Sequence, residues 1–117
     1  MTLGNASAGA GNSRTITAEQ AREIMNGSSD YVLLDVRSAS EYEQNHIAGA
    51  KLIPVGELSA RAAAELPDKN VPILVYCRSG GRAGTAVSTL TQIGYNNVFS
   101  FGGIVNWQYE TVKGQEA

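Results

Sequence analysis

Residues 71–82, VPILVYCRSGGR, decide how this chain folds. The apolar first half of this stretch contains several β-branched and aromatic residues, which is typical of a buried central strand in a parallel sheet. The strand ends on Cys77, the single cysteine, and a short loop with two glycines and two arginines follows. A helical spacing of apolar residues begins directly after the loop, at Ala83, Ala86, Val87, Leu90 and Ile93.

A strand, a tight loop and a helix N-terminus can surround an anion with backbone N–H groups. We expect the amides of residues 78–83 to converge on the sulfur of Cys77, with Gly80 and Gly81 supplying the backbone freedom that this requires. A free thiol is mostly protonated at neutral pH, but a helix N-terminus and nearby cations favour the thiolate. The stretch therefore predicts a nucleophilic cysteine.

The composition limits the classes of function. A chain of 117 residues with 43% hydrophobic and 17% charged residues suits one soluble globular domain. With a net charge of −2 and no apolar run near the ~20 residues of a membrane span, we expect neither nucleic acid nor membrane as a partner. One cysteine and one histidine argue against a disulfide and a structural zinc, so we expect no metal and no cofactor.

The charges are distributed unevenly along the chain. No Asp or Glu occurs from Lys69 to Tyr109, and this stretch includes Arg78 and Arg82. The surroundings of Cys77 are therefore predicted to be positive. A simpler interpretation stays open, because a buried strand and a helix of small residues leave little room for carboxylates.

Helices alternate with strands along the chain, which predicts an α/β domain with a mostly parallel sheet. We expect the domain to span residues 14–113, between tails at 1–13 and 114–117. Two capping boxes, Thr17 with Gln20 and Ser38 with Glu41, predict helix starts. The remaining elements are predicted as strands at 14–16, 31–36, 51–53 and 97–101 and helices at 57–66 and 104–112.

Several motifs, in order, resemble those of the single-domain rhodanese-like sulfurtransferase family. They are residues 35–37 (DVR) with 41–42 (EY), 46–50 (HIAGA) with 52–54 (LIP), 77–83 (CRSGGRA), and 102–103 (GG) with Trp107. The resemblance covers roughly residues 15–112. It implies a three-layer α/β/α fold around a five-stranded, mostly parallel sheet, and an enzyme of the thiosulfate sulfurtransferase type.

The resemblance implies that Cys77 takes the outer sulfur of a donor such as thiosulfate and passes it to cyanide, a thiol or a sulfur-accepting protein. Arg78, Ser79, Gly80, Gly81 and Arg82 are the predicted substrate-binding residues. We expect a monomer in the cytoplasm, or in the periplasm if a leader has been removed.

Four residues outside the loop are assigned lesser roles. Asp35 and Arg37 are predicted to support the site through a network with Glu41. His46 is predicted to be structural, and Trp107 to anchor a final helix in the core.

Two other functions remain open at this point. A binding or persulfide-carrier module would retain the fold without turnover. A phosphatase or arsenate-reductase-like enzyme is disfavoured by loop length, because phosphatases of related shape use Cys-x5-Arg, whereas Cys77 and Arg82 form the shorter Cys-x4-Arg.

Overall fold

The structure of the protein is a computed structural model that describes residues 14–27 and 30–114. The predicted tail at 1–13 and residues 115–117 lie outside the described residues. Gly114, the first residue of the other predicted tail, donates its N–H to the carbonyl of Glu43 at 2.8 Å.

The elements alternate between helix and strand, as the sequence predicts. In chain order they are α1 (Ala18–Gly27), β1 (Val32–Asp35), α2 (Ala39–Gln44), β2 (His46–Ile47), β3 (Lys51–Leu52), a 3-10 turn (Val55–Glu57), α3 (Leu58–Glu65), β4 (Ile73–Cys77), α4 (Gly81–Gln92), β5 (Val98–Gly103), a second 3-10 turn (Ile104–Asn106) and β6 (Thr111–Val112). None of the helices in the described ranges has the length and apolarity that crossing a membrane requires.

The main sheet is parallel and has the strand order β3-β1-β4-β5. The α/β fold with a mostly parallel central sheet is therefore confirmed, but the expected count of five strands is not. At the predicted first strand only Thr15 forms a bridge, to Ser100. Strand pairing ends there because Thr17, two residues after Thr15, already caps α1.

Side chains alternate between the two faces of the sheet, as the pleat of a strand requires. Ile73, Val75 and Cys77 of β4 face a core that includes Leu58 and Leu90, from α3 and α4. The intervening Leu74 and Tyr76 face a second core with residues of α1 and α2, namely Ala21 and Tyr42. The sheet thus lies between two helical layers, and Cys77 faces the layer that contains α4.

Both predicted capping boxes are present. Gln20 N–H donates to Thr17 Oγ1 at 3.0 Å, and Thr17 N–H donates to Gln20 Oε1 at 2.9 Å. Ser38 and Glu41 make the same reciprocal contacts at the start of α2. Each box satisfies backbone N–H groups that a helix start leaves without partners.

The predicted helix at 104–112 is wrong. A single 3-10 turn follows Gly103, and the chain then extends into β6, which pairs antiparallel with β2. The β-branched Thr111 and Val112 suit a strand, and residues 46–47 provide the edge that they pair with. Trp107 still packs inward, with its ring centroid 5.5 Å from that of Phe101.

Candidate active site

The site forms where β4 ends and α4 begins. Cys77 is the last residue of β4, and α4 starts at Gly81. Gly80 between them has a φ of 126°, a conformation that a side chain would strain. This glycine turns the chain so that the N-terminus of α4 faces the end of the strand.

The sulfur of Cys77 accepts two backbone hydrogen bonds. The N–H of Gly80 lies 3.0 Å from Sγ, and the N–H of Ala83 lies 3.3 Å from it. The residue is only 1% exposed, and Sγ also lies 3.9 Å from the carbonyl oxygen of Gly102. N–H donors aimed at one sulfur stabilise a thiolate more than a thiol. Of the amides of residues 78–83 that were expected to converge on the sulfur, those of Gly80 and Ala83 contact it.

The two glycines that end β5 support the loop from the side. Gly103 pairs with Cys77 in the sheet, after a register shift in β4. A Cβ added to Gly103 would overlap the carbonyl group of Arg78, so only glycine allows this approach. The N–H of Val105 donates to the same carbonyl at 3.3 Å. The loop backbone is thus packed against a neighbouring backbone.

The predicted substrate-binding residues differ in how exposed they are. Arg78, Ser79 and Gly81 are exposed beside Cys77. Arg82 is half-buried, and its guanidinium makes a two-pronged contact with Glu41, with Nη1–Oε1 at 2.7 Å and Nη2–Oε2 at 3.1 Å. The positive charge predicted around Cys77 is therefore offset at Arg82 by Glu41. That Arg82 binds the sulfur-donor substrate stays a prediction.

Asp35 and Arg37 form a buried pair at the end of β1. The Asp35 carboxylate accepts from Arg37 Nη2 at 2.7 Å and from the Arg37 backbone N–H at 2.9 Å. Arg37 Nη2 also donates to the carbonyl of Asn45 at 2.6 Å. Burial alone would lower the pKa of Arg37, but its hydrogen bond to Asp35 and the charge of that carboxylate outweigh burial and raise it. The predicted network with Glu41 stays a prediction: the charge of Glu41 also helps to raise the pKa of Arg37, while its carboxylate accepts hydrogen bonds from Ser38 and Arg82.

His46 is built into the packing around α2. It is fully buried, its ring stacks on Tyr42 with centroids 3.6 Å apart, and Nδ1 lies 2.8 Å from the Tyr42 carbonyl oxygen. These contacts agree with the predicted structural role.

Sequence reasoning missed the contact between Glu41 and Arg82, because 41 residues separate the two. Glu41 already had a local explanation as the last residue of a capping box. The only signal was the surplus of positive charge in the loop, which did not point to a particular carboxylate.

Two surface clefts lie away from the cysteine loop. The larger, about 770 Å³, lies beside the end of α1 and the start of β1, and the smaller, about 170 Å³, is partly aromatic. Neither lining includes any residue of 77–83. Cys77 itself is buried, and the exposed residues beside it are Arg78, Ser79 and Gly81.

Comparison with known families matches residues 17–110 to the Rhodanese-like domain. The thiosulfate sulfurtransferase PspE of Escherichia coli (strain K12) is 40% identical over 81 residues, which are 69% of this chain and 78% of that protein. The thiosulfate sulfurtransferase GlpE of Coxiella burnetii (strain RSA 331 / Henzerling II) is 35% identical over 80 residues, covering 68% of this chain and 73% of GlpE.

Solved structures agree in fold. A rhodanese with anions from E. coli has a TM-score of 0.68 at 38% identity, covering 72% of this chain and 99% of that one. The Alr3790 protein from Anabaena sp. has a TM-score of 0.78 at 28% identity, covering 86% and 93%. The chain belongs to the rhodanese-like domain family, and it is an enzyme of the rhodanese type.

Proposed function

We propose that this protein moves a sulfane sulfur from thiosulfate or a persulfide donor to a thiophilic acceptor, with Cys77 carrying the sulfur as a persulfide. The observation that supports this most is the pair of backbone N–H groups, from Gly80 and Ala83, directed at Sγ. The relatives named thiosulfate sulfurtransferases support thiosulfate as a donor.

In the first half-reaction the Cys77 thiolate attacks the outer sulfur of thiosulfate. A new S–S bond forms to Sγ, the S–S bond of thiosulfate breaks, and its electron pair leaves with sulfite. The product is a cysteine persulfide whose outer sulfur is negatively charged. The amides at the N-terminus of α4 would stabilise this charge as it develops.

In the second half-reaction a nucleophile attacks the outer sulfur of the persulfide. Cyanide takes the outer sulfur and becomes thiocyanate, or a thiolate takes it and becomes a new persulfide. The electron pair of the broken S–S bond stays on the sulfur of Cys77, which is again a thiolate. No oxidant or reductant is consumed. The physiological acceptor is proposed to be a small thiol or a cysteine on another protein.

The loop side chains would bind the donor. The exposed Arg78 would attract an anion to the mouth of the site, and the Ser79 hydroxyl would donate to a donor oxygen. Gly80, with its positive φ, would allow the backbone to lie close to the sulfur, whereas Gly81 begins α4 without a positive φ. Asp35 and Arg37 would support the end of β1 without touching the donor.

Sulfur transfer from thiosulfate to cyanide tests this function, with Cys77→Ser as the matched variant. We expect thiocyanate from the intact protein and only background from Cys77→Ser, because a serine hydroxyl is not ionised at neutral pH. Mass spectrometry after incubation with thiosulfate alone should show one added sulfur atom on the intact protein and none on Cys77→Ser.

Hydrolysis of p-nitrophenyl phosphate is the comparison reaction. Turnover of the phosphate ester without thiocyanate formation would overturn the proposal in favour of a phosphatase. Absence of turnover in both assays would leave a binding module.

A further inference from the structure

Glu41 is held in place independently of its arginine partner. Its Oε1 accepts from the Ser38 backbone N–H and from Ser38 Oγ, both at 3.0 Å, at the start of α2. The same carboxylate reaches across to Arg82 in the first turn of α4. The capping box therefore presents a fixed negative charge to the helix that faces the cysteine.

Arg82 lies in the segment that binds the sulfur. It follows Gly80 and directly precedes Ala83, the two residues whose N–H groups contact Cys77 Sγ. The hydrogen bond from Arg82 lowers the pKa of Glu41 to about 2, so the carboxylate is ionised at neutral pH. The charges of the pair then sum to zero beside the site.

Arg78 contrasts with Arg82. Its side chain is exposed, and among the described residues no carboxylate forms an ion pair with it. The loop contains two arginines, but only one of their charges is left uncompensated.

We propose that Glu41 determines the donor specificity of this site by offsetting the charge of Arg82, which weakens the preference for doubly charged donors over singly charged ones. The inference rests on the proposed sulfur transfer through Cys77. Thiosulfate carries two negative charges, whereas an organic thiosulfonate carries one. Both deliver an outer sulfur to a thiolate, releasing sulfite from thiosulfate and a sulfinate from the thiosulfonate.

The two donors differ in charge and therefore respond differently to a charge in the site. One extra positive charge in the site stabilises a dianion about twice as much as a monoanion at the same position. At roughly 7 Å and an effective dielectric constant of about 40 to 80, this difference corresponds to about a three- to eightfold change in relative rate. The change should shrink as salt is added, since ions screen partly exposed charges.

The experiment measures kcat/KM for thiosulfate and for benzenethiosulfonate, with cyanide as acceptor, and compares their ratio among four proteins. These are the intact protein, Glu41→Gln, Arg82→Gln and the double variant. We expect the ratio of thiosulfate to benzenethiosulfonate to rise about three- to eightfold in Glu41→Gln and to fall by a similar factor in Arg82→Gln. In the double variant, where the net charge is again zero, it should return close to the original ratio.

The ratio separates charge from structural damage. Both donors react with the same Sγ, so loss of folded protein or of cysteine reactivity lowers both rates and leaves the ratio unchanged. Equal ratios in all four proteins would overturn the inference, as would a change in the same direction in both single variants. If Glu41→Gln does not fold, the predicted fall of the donor ratio in Arg82→Gln still tests the inference, because that variant keeps Glu41.

Glu65→Gln is the matched control. Glu65 makes the same type of two-pronged contact, with Arg61 on α3, at 2.6 and 3.1 Å. It also pairs with Lys51, at the start of the edge strand β3, which β1 separates from the cysteine strand β4. The donor ratio should not change in Glu65→Gln. If the intact protein forms no thiocyanate from either donor, the proposed function itself fails, and this inference fails with it.

Discussion

Two carboxylate–arginine pairs lie near the end of β1, and they differ in burial. Asp35 and Arg37 are two residues apart, and their side chains are 0% and 4% exposed. Glu41 and Arg82 join α2 to α4, with side chains 28% and 39% exposed. Both are therefore ion pairs between an arginine and a carboxylate, but one is buried and the other is partly exposed to water.

The difference in burial decides what each pair can contribute. Removing one member of a buried pair leaves a charge without water or partner, which is costly. Removing one member of an exposed pair costs little, because water and ions replace the partner. We infer that Asp35 and Arg37 maintain the structure beneath the loop, whereas Glu41 and Arg82 can be changed to alter the reaction.

The largest predicted effect is the loss of stability caused by Asp35→Asn. This change leaves the buried guanidinium of Arg37 without its counter-charge, and we expect the free energy of unfolding to fall by about 3–5 kcal/mol. Urea denaturation measures it. The control is Glu57→Gln, which removes a 57% exposed carboxylate from Arg61 and should cost less than about 1 kcal/mol. Equal losses in the two variants would contradict the assignment of Asp35 to a buried structural pair.

An intermediate effect is predicted for Gly103→Ala, which disturbs the loop while leaving both pairs intact. The new methyl group would overlap the Arg78 carbonyl, so the backbone must shift, at a cost of about 1–3 kcal/mol. We expect thiocyanate formation to fall as well, because the shift moves the loop around Cys77. The control is Gly84→Ala in α4, where nothing lies within 4 Å of the added Cβ.

For Gly84→Ala we expect a gain of about 0.5–1 kcal/mol, because alanine favours the helix over glycine. Urea denaturation and the thiosulfate assay, each applied to Gly103→Ala and Gly84→Ala, check these expectations. A Gly103→Ala protein with full stability and full activity would show that close packing between the loop and β5 is not needed.

The smallest predicted effect concerns acid stability through Glu41. Its pKa is about 2 in the folded protein, held low first by the hydrogen bond from Arg82, against an ordinary value of 4.5. A carboxyl group with a lowered pKa stabilises the fold above its unfolded pKa, and this contribution disappears as the pH falls through the folded pKa. The contribution should therefore be complete above about pH 5 and lost by about pH 2.

The expected size of this contribution is below about 1 kcal/mol, because both side chains are partly exposed. Urea denaturation of the intact protein and Glu41→Gln between pH 7 and pH 2 measures it. The difference between the two proteins should shrink as the pH falls. A difference that stays constant with pH would show that the carboxylate charge is not what stabilises the pair.

Local patterns predicted much of the site. The apolar run at 71–76 and the helical spacing after residue 82 place Cys77 between a strand and a helix N-terminus, and the structure confirms both elements. The two capping boxes were readable for the same reason, since each involves residues three apart. Interactions of this range leave a signature in a short stretch of sequence.

Two of the incorrect predictions concern contacts between distant segments. The region 104–112 was predicted as a helix, but β2 recruits Thr111 and Val112 into a strand. The expected fifth strand is reduced to the bridge at Thr15 because a helix cap follows at once. The loop sequence predicts a positive charge at Arg82, but the fold places Glu41, 41 residues away in the sequence, against it.

The sequence by itself determined the α/β alternation, the position of the cysteine at a strand end and the need for glycine at residue 80, because hydrophobic period and backbone freedom act between neighbours. Only the tertiary structure decided which glycine lies against the Arg78 carbonyl and which arginine keeps its charge. These outcomes depend on distances between segments tens of residues apart, and packing the sheet and its two helical layers is what sets those distances.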